Sequence, residues 1–496
     1  MEEGFITHRI LAAYFARLTI SAWILCLVLL MFMPLFSYAE DSKDLDKKSM
    51  FSKPSNKESL RALNAFKNKK VGNSGLFVQL SETKFISSDR NYFSSANGNV
   101  SLGRAGIGVK KSWLEDTIKS DIFFEHSFAE NKNYLYVDEL YFSQNIVFLD
   151  SKISLGRKVE EWSKGETIWK EGLWQARKSA DPLNYKTQGL VGLFYELKQP
   201  NFKLTAFTSG FFVPEFDPQY NIEDGKITSN NPWFPSLIEQ VEMFGNLNEI
   251  NYTIQQPKNE DVVQQSSQAL KLEYDNGAFH ASSSVARKPI NRLFLRLPFS
   301  QRASEDIVDI TVVPVVLTHD LASYSMGYRS KKWKIWFDVT DEKPVLDTPN
   351  YDWISQMAGD SIQSTAYAAF MFGGSETYVS YHNLQSDDVA DYGEVVEGSQ
   401  SGIFDPRFQS FNALKVGIKN LKYKQNSLAV EATYDEPQKA GVFKVNYDYH
   451  YSEKLAFHVD AALIGLTNES EATEEKGFMR KYRANDYLTS GFTYVF

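Results

Sequence analysis

Residues 443–463 read Phe-Lys-Val-Asn-Tyr-Asp-Tyr-His-Tyr-Ser-Glu-Lys-Leu-Ala-Phe-His-Val-Asp-Ala-Ala-Leu. Phe443, Val445, Tyr447, Tyr449 and Tyr451 alternate with Lys444, Asn446, Asp448 and His450. After a short turn, Leu455, Phe457, Val459, Ala461 and Leu463 alternate with Ala456, His458 and Asp460. A period of two marks strands with one apolar and one polar face. Further back, Trp333, Ile335, Phe337 and Val339 alternate with Lys332, Lys334 and Asp338. Each apolar row is rimmed by Tyr, Trp or Phe. A soluble sandwich would turn that face inward and scatter its aromatics through a core. A membrane barrel turns it to lipid, with the aromatic rings at the two interfaces.

Spacing separates the two. The pattern predicts strands at 73–86, 98–110, 117–128, 133–147, 151–160, 187–198, 201–212, 267–275 and 277–287. It continues at 307–317, 321–330, 332–340, 362–372, 374–384, 410–419, 424–434, 440–450, 454–464 and 486–496. Most are about ten residues, the length a tilted strand needs to cross a bilayer. Short turns such as Asp275-Asn276-Gly277 alternate with long connections at 161–186, 213–266, 385–409 and 465–485. Barrels of the outer membrane show this asymmetry, with periplasmic turns and extracellular loops. Nineteen candidates conflict with an even count. Either one strand within 307–340 is false, or Asn291–Phe299 is a missed one. The expectation is a single closed antiparallel transmembrane β-barrel of about 18 strands, within a range of 16–20.

Outside 73–496 the sequence changes character. Arg9 and Arg17 precede an apolar run from Leu18 to Phe36, closed by Ser37-Tyr38-Ala39. This predicts a signal peptide over 1–39, cleaved after Ala39, with helix-breaking Pro34 favouring cleavage over a helical anchor. Residues 40–72 are Lys- and Ser-rich, and Ser55 with Glu58 has capping-box spacing, so a periplasmic lead-in, part helical, is expected. The single cysteine, Cys26, falls in the leader, leaving the mature chain without disulfides, thiol chemistry or Cys-based metal sites. With 43% hydrophobic and 23% charged residues, long disorder and a polytopic helical protein are both disfavoured. A net charge of −9 argues against a nucleic-acid partner.

The chain ends Thr489-Ser490-Gly491-Phe492-Thr493-Tyr494-Val495-Phe496. Thr489, Gly491, Tyr494 and Phe496 match the terminal-strand signal of Gram-negative outer-membrane barrels: polar, any, Gly, two of any kind, aromatic, any, terminal aromatic. In this the chain resembles the broad outer-membrane porin class. The resemblance implies recognition by the barrel-assembly machinery and residence among outer-membrane lipids and lipopolysaccharide, with a homo-oligomer allowed. Leu155-Gly156-Arg157-Lys158, followed by Trp162 and Gly165, is faintly similar to substrate-specific porins.

Charge placement bears on cargo. Loop 213–266 carries nine acids against Lys226 and Lys258, and loop 385–409 six acids against Arg407. This gives an acidic mouth over a slightly basic wall, or else acids that are merely solvated or that bind divalent ions between lipid A phosphates. Arg287, Lys288, Arg292, Arg296 and Arg302 form a stretch without an acid. Folded into the lumen it would be an anion-attracting constriction; left outside it would meet lipopolysaccharide phosphates. Lys444, Asp448, His450, His458 and Asp460 are expected to line the pore. Trp162, Trp169 and Trp174 are placed to stack on a sugar ring, to pack their loop onto itself or to sit in the interface belt.

Catalysis finds little support. Asp448 with His450, and His458 with Asp460, lie two apart on polar faces, but they belong to the lower or middle lumen. No nucleophile elbow, zinc-helix, Walker or dinucleotide motif occurs, so no enzyme, metal or cofactor is expected. A porin for small hydrophilic solutes is the leading expectation. A structural or adhesive barrel with a loop-filled lumen is the alternative. A TonB-type receptor comes third, because residues 40–72 are too few for a plug domain.

Overall fold

The computed structural model describes residues 75–86, 101–113, 117–146, 150–178, 181–215, 218–234, 239–243, 245–302, 306–345, 358–386, 407–466 and 477–496. The expected leader and lead-in, most of loop 385–409 and residues 467–476 of loop 465–485 lie outside these residues.

One sheet of eighteen strands dominates. In chain order they are β1 (Gly75–Phe85), β2 (Ser101–Trp113), β3 (Ile118–Ser127), β4 (Lys132–Ile146), β5 (Ser151–Lys158), β6 (Leu190–Lys198), β7 (Phe202–Ser209), β8 (Ser267–Asp275) and β9 (Phe279–Pro289). The second half is β10 (Thr318–Arg329), β11 (Trp333–Val345), β12 (Ser361–Phe372), β13 (Ser375–Ser386), β14 (Asn412–Tyr423), β15 (Asn426–Asp435), β16 (Ala440–His450), β17 (Leu455–Leu466) and β18 (Tyr487–Val495). Every strand pairs antiparallel with its sequence neighbours, and β1 pairs with β18 in the register Val78↔Tyr494. The Phe496 amide donates to the Leu76 carbonyl at 2.9 Å, so the ring closes. Closure leaves no sheet edge, which is what a β-structure needs to stand in hydrocarbon.

The alternation read from sequence sorts residues between the two faces. Phe337, Met326, Leu135 and Phe443 point outward and are exposed, while Asp338, Ser325, Tyr136 and Val442 on the same strands point inward and are buried. At the rim of short turns the outward rings form a girdle. Phe202 meets Tyr274 at 5.0 Å, Phe279 meets Tyr328 at 5.3 Å, and Trp333 meets Phe370 at 4.8 Å. A closed barrel with an apolar outer band and an aromatic belt fits only a bilayer. The molecule is a β-barrel of the outer membrane.

The strand count resolves at the expected place. Candidate 307–317 is a real strand, Ile307–Val315, but it lies outside the barrel. It pairs parallel with Asn246–Ile254 and antiparallel with Phe294–Arg296 and Phe299–Arg302, in a small sheet made from two connections. Ile250, Val308 and Ile310 bury against each other there. Removing this strand from the nineteen gives 18, and puts 290–317 on the same rim as the end of β11 at Val345 and the start of β12 at Ser361. Connections on the other rim are short: 276–278, 330–332, 373–374 and 424–425.

Candidate functional site

The connection between β5 and β6, residues 159–189, turns back into the barrel. Its first anchor is a short helix, α1 (Lys164–Trp169). The Ser163 side chain caps it by accepting from the Glu166 amide at 3.1 Å and donates to Asp338 of β11 at 2.9 Å. The Lys164 amide donates to the same carboxylate at 3.1 Å. A Cβ at Gly165 would sit 2.7 Å from Asp338 Oδ1, so only glycine lets the helix start lie this close to the wall. Trp169 Nε1 donates to Ser380 Oγ and Trp174 Nε1 to Ser323 Oγ, both at 2.9 Å. Trp162 and Trp174 stack at 5.6 Å, and all three indoles are buried. They fasten the loop to the wall and present no face to a solute.

A second anchor is a buried polar node that joins several connections. Arg177 pairs with Glu215 at 2.8 Å and donates to the Arg407 carbonyl at 2.9 Å. Arg407 in turn pairs with Glu342 at 2.7 Å, and Glu342 also meets His319 at 2.6 Å and Ser361 at 2.8 Å. Asn291 Nδ2 donates to the Gly172 carbonyl at 2.6 Å, and the Gln409 amide donates to Glu171 at 3.3 Å. Burial pushes the Glu171 carboxyl up to about 8 against the pull of Arg177. Across the lumen, Lys444 Nζ donates to the Leu183 carbonyl at 2.6 Å and Asn184 Nδ2 to the Tyr487 hydroxyl at 2.8 Å. The loop therefore spans from the β9–β13 wall to the β16–β18 wall. On its loop-rim side, Leu183, Trp233, Phe85, Met479 and Tyr487 make an apolar cluster.

Toward the turn rim a cavity of about 700 Å³ remains. The loop borders it with Val159, Lys170, Tyr185, Lys186 and Thr187; the facing wall supplies Asp448, His450, Ala456, His458 and Thr493. Around its lining, Lys110 pairs with Asp121, and Lys119 with Glu139 at 2.6 Å. Lys170, Lys186, Asp138 and Asp448 complete four bases against four acids, so the cavity is polar but neutral.

The residues singled out from sequence fall in three places. Asp448, His450 and His458 line the cavity. Lys444 and Asp460 face the lumen with them, but their partners differ from the spacing argument: Asp460 accepts from Asn446 at 2.8 Å, and His458 lies opposite Asp448 and 3.5 Å from Gln79. The basic stretch does not converge into a ring. Arg287 sits on the outward row, paired with Asp320, whereas Lys288 points inward, buried, to the Pro289 carbonyl and Asn291. Arg296 and Arg302 belong to the loop sheet, Arg302 paired with Asp309 at 2.5 Å, and Arg292 precedes it. Strand parity separates neighbours 287 and 288, and the chain leaves the barrel after Pro289. The terminal residues lie at the seam, where Thr489 hydrogen-bonds Thr83 at 2.8 Å and the Tyr494 ring meets Phe496 at 5.2 Å. In loop 213–266, Glu223, Asp224, Glu239, Glu242, Glu249, Glu260 and Asp261 are exposed, whereas Glu215 is buried on Arg177. The acids of 387–406 lie outside the described residues.

No protein-family model matches the chain, and no curated protein matches it. Among solved structures, OccAB3 of Acinetobacter baumannii is 8% identical with a TM-score of 0.44, covering 85% of this chain and 98% of that one. OmpF of Salmonella typhi in complex with daunomycin is 10% identical, TM-score 0.37, over 86% and 99% of the two chains. The trimer form of OmpT, an outer membrane protein of Vibrio cholerae, is 9% identical, TM-score 0.36, over 84% and 98%.

Residues missed from sequence include Phe77, Gln79, Lys110, Lys119, Asp138, Lys170 and Lys186. Most sit where strands approach the short turns, and the inward parity of β1–β4 would have found them. The Glu166, Glu171 and Arg177 group carried no periodic signal.

Proposed function

We propose that this barrel is a porin-type channel for small hydrophilic solutes, narrowed by the loop 159–189. The observation that carries this reading is the polar cavity of about 700 Å³ lying between that loop and the turn rim. A structural barrel would be expected to fill its lumen with apolar packing, and an aqueous path needs charged and hydrogen-bonding walls. The turns then face the periplasm and the longer connections the outside, in contact with lipopolysaccharide. Folding by the barrel-assembly machinery through the seam residues Thr489, Gly491, Tyr494 and Phe496, and assembly into a homo-oligomer, belong to the same reading. No catalytic role is part of it.

Selectivity by charge is weak in this proposal, because bases and acids balance around the cavity and Arg287, Arg296 and Arg302 do not form a lumen ring. One observation favours the loop-filled alternative: Trp233, 2% exposed, caps the loop-rim side with Leu183 and Met479. Planar-bilayer recording separates the two. The folded protein should give discrete current steps in KCl, with a reversal potential near zero in a salt gradient. Trp233→Ala should lengthen the open periods, and Arg292→Ala with Arg296→Ala should leave the reversal potential unchanged. Silence in both the parent and Trp233→Ala would establish the structural barrel instead.

A further inference from the structure

The inner wall of β1–β4 carries a row of near-parallel, offset-stacked rings. Phe77 and Phe123 have centroids 5.7 Å apart at 9°, Phe123 and Tyr136 6.1 Å at 14°, and Tyr136 and Tyr134 6.0 Å at 5°. A Cβ at Gly108 would be 2.4 Å from Phe77 Cζ, and one at Gly106 would be 2.2 Å from Phe123 Cζ. Two glycines on β2 thus leave the recesses in which Phe77 and Phe123 rest. Lys178 of the loop covers the Tyr136 face, and Lys178 and Lys186 both lie 5.6 Å from the Phe123 centroid. Phe77, at the end of the row, borders the cavity instead.

The same cavity is lined by Gln79, Thr493, His458 and Asp448 from β1, β18, β17 and β16, and by Lys186 from the loop. Resting on the porin reading above, we infer that this cavity is a saturable binding site for neutral sugars. A pyranose has an apolar C–H face that stacks on an aromatic ring and a rim of hydroxyls that both donate and accept. The balanced charges give neither an anion nor a cation a net Coulombic gain. An apolar ligand would leave the amide, imidazole and carboxylate groups without partners, a cost that sugar hydroxyls avoid. The volume lies within the range of small-molecule sites.

Cellobiose is a suitable probe, with gluconate and glucosamine as charged comparators. Calorimetry on the detergent-folded full chain should show saturable cellobiose binding, and weaker binding of both comparators. Phe77→Leu keeps an apolar side chain in the recess but removes the ring face, and should weaken cellobiose binding by about tenfold or more, a difference of about 1.4 kcal/mol. Asp448→Asn should weaken it as well, and outward-facing Leu80→Ala should not. Absence of cellobiose binding, equal binding by Phe77→Leu, or tighter binding of gluconate would each overturn the assignment. KCl conductance of the same preparation reports on the channel reading separately, so the two can fail independently.

Discussion

Glu171 is 3% exposed, yet its carboxyl accepts a backbone hydrogen bond and lies near Arg177, whose charge Glu215 already engages. Burial is the larger influence, and it raises the carboxyl to about 8 from its ordinary value of 4.5. A group whose folded pKa is raised binds more protons folded than unfolded in the window between the two values. Stability from this group is therefore present at low pH and lost as pH rises from about 5 to about 8. Amide exchange over 164–175, corrected for intrinsic rates, should show stronger protection at pH 5.5 than at pH 8.5. Glu171→Gln should reduce that difference, and the remainder belongs to Glu166, which burial also raises, to about 7. Stronger protection at the higher pH would show that the charged form is the one the node holds.

Among the elements, the fit between glycine and aromatic ring sets how tightly neighbouring strands lie. Gly106 and Phe123 are diagonal neighbours in the β2–β3 ladder, whose register pairs Gly106 with Glu125 and Gly108 with Phe123. Gly106→Val should collide with the ring and cost about 1–3 kcal/mol of overpacking. The folded, heat-modifiable fraction on gels should fall, and Phe123→Ala in the same chain should restore part of it. No loss in the single variant would mean that the ring does not occupy the recess. Legibility from sequence divides along the same line. Strands such as β16 and β17 were readable because lipid on one side and water on the other force a period of two on the whole length. Ile307–Val315 has that period too, because a small loop sheet also has an apolar face, so alternation could not exclude it from the barrel. Asp448, His450 and His458 were found through parity. Arg177, Glu171 and Trp233 were not, since a loop's burial depends on the wall it meets and leaves no repeat in the chain.

At the scale of the molecule, two rims of different construction predict which surface faces which compartment. An epitope tag inserted at Gly225, in the hairpin Asn221–Thr228, should be reached by antibody on intact cells. The same tag at Asn276, in the turn between β8 and β9, should be reached only after the outer membrane is permeabilised. The reverse pattern would invert the topology and move the cavity to the outer side of the loop.

The seam between β1 and β18 has a consequence for how the chain could be cut and rejoined. Hydrogen bonding across it is of the same kind as across every other strand pair, and Phe496 ends beside Leu76. In space the strands have no first or last member; only synthesis imposes an order. A short linker from Phe496 to Gly75, with new ends opened at a turn such as 276–278, would yield a circular permutant with the same pairings throughout. Its final strand would then be β8, so comparing its assembly with that of the parent would distinguish what the closing geometry requires from what the terminal aromatic contributes as an address.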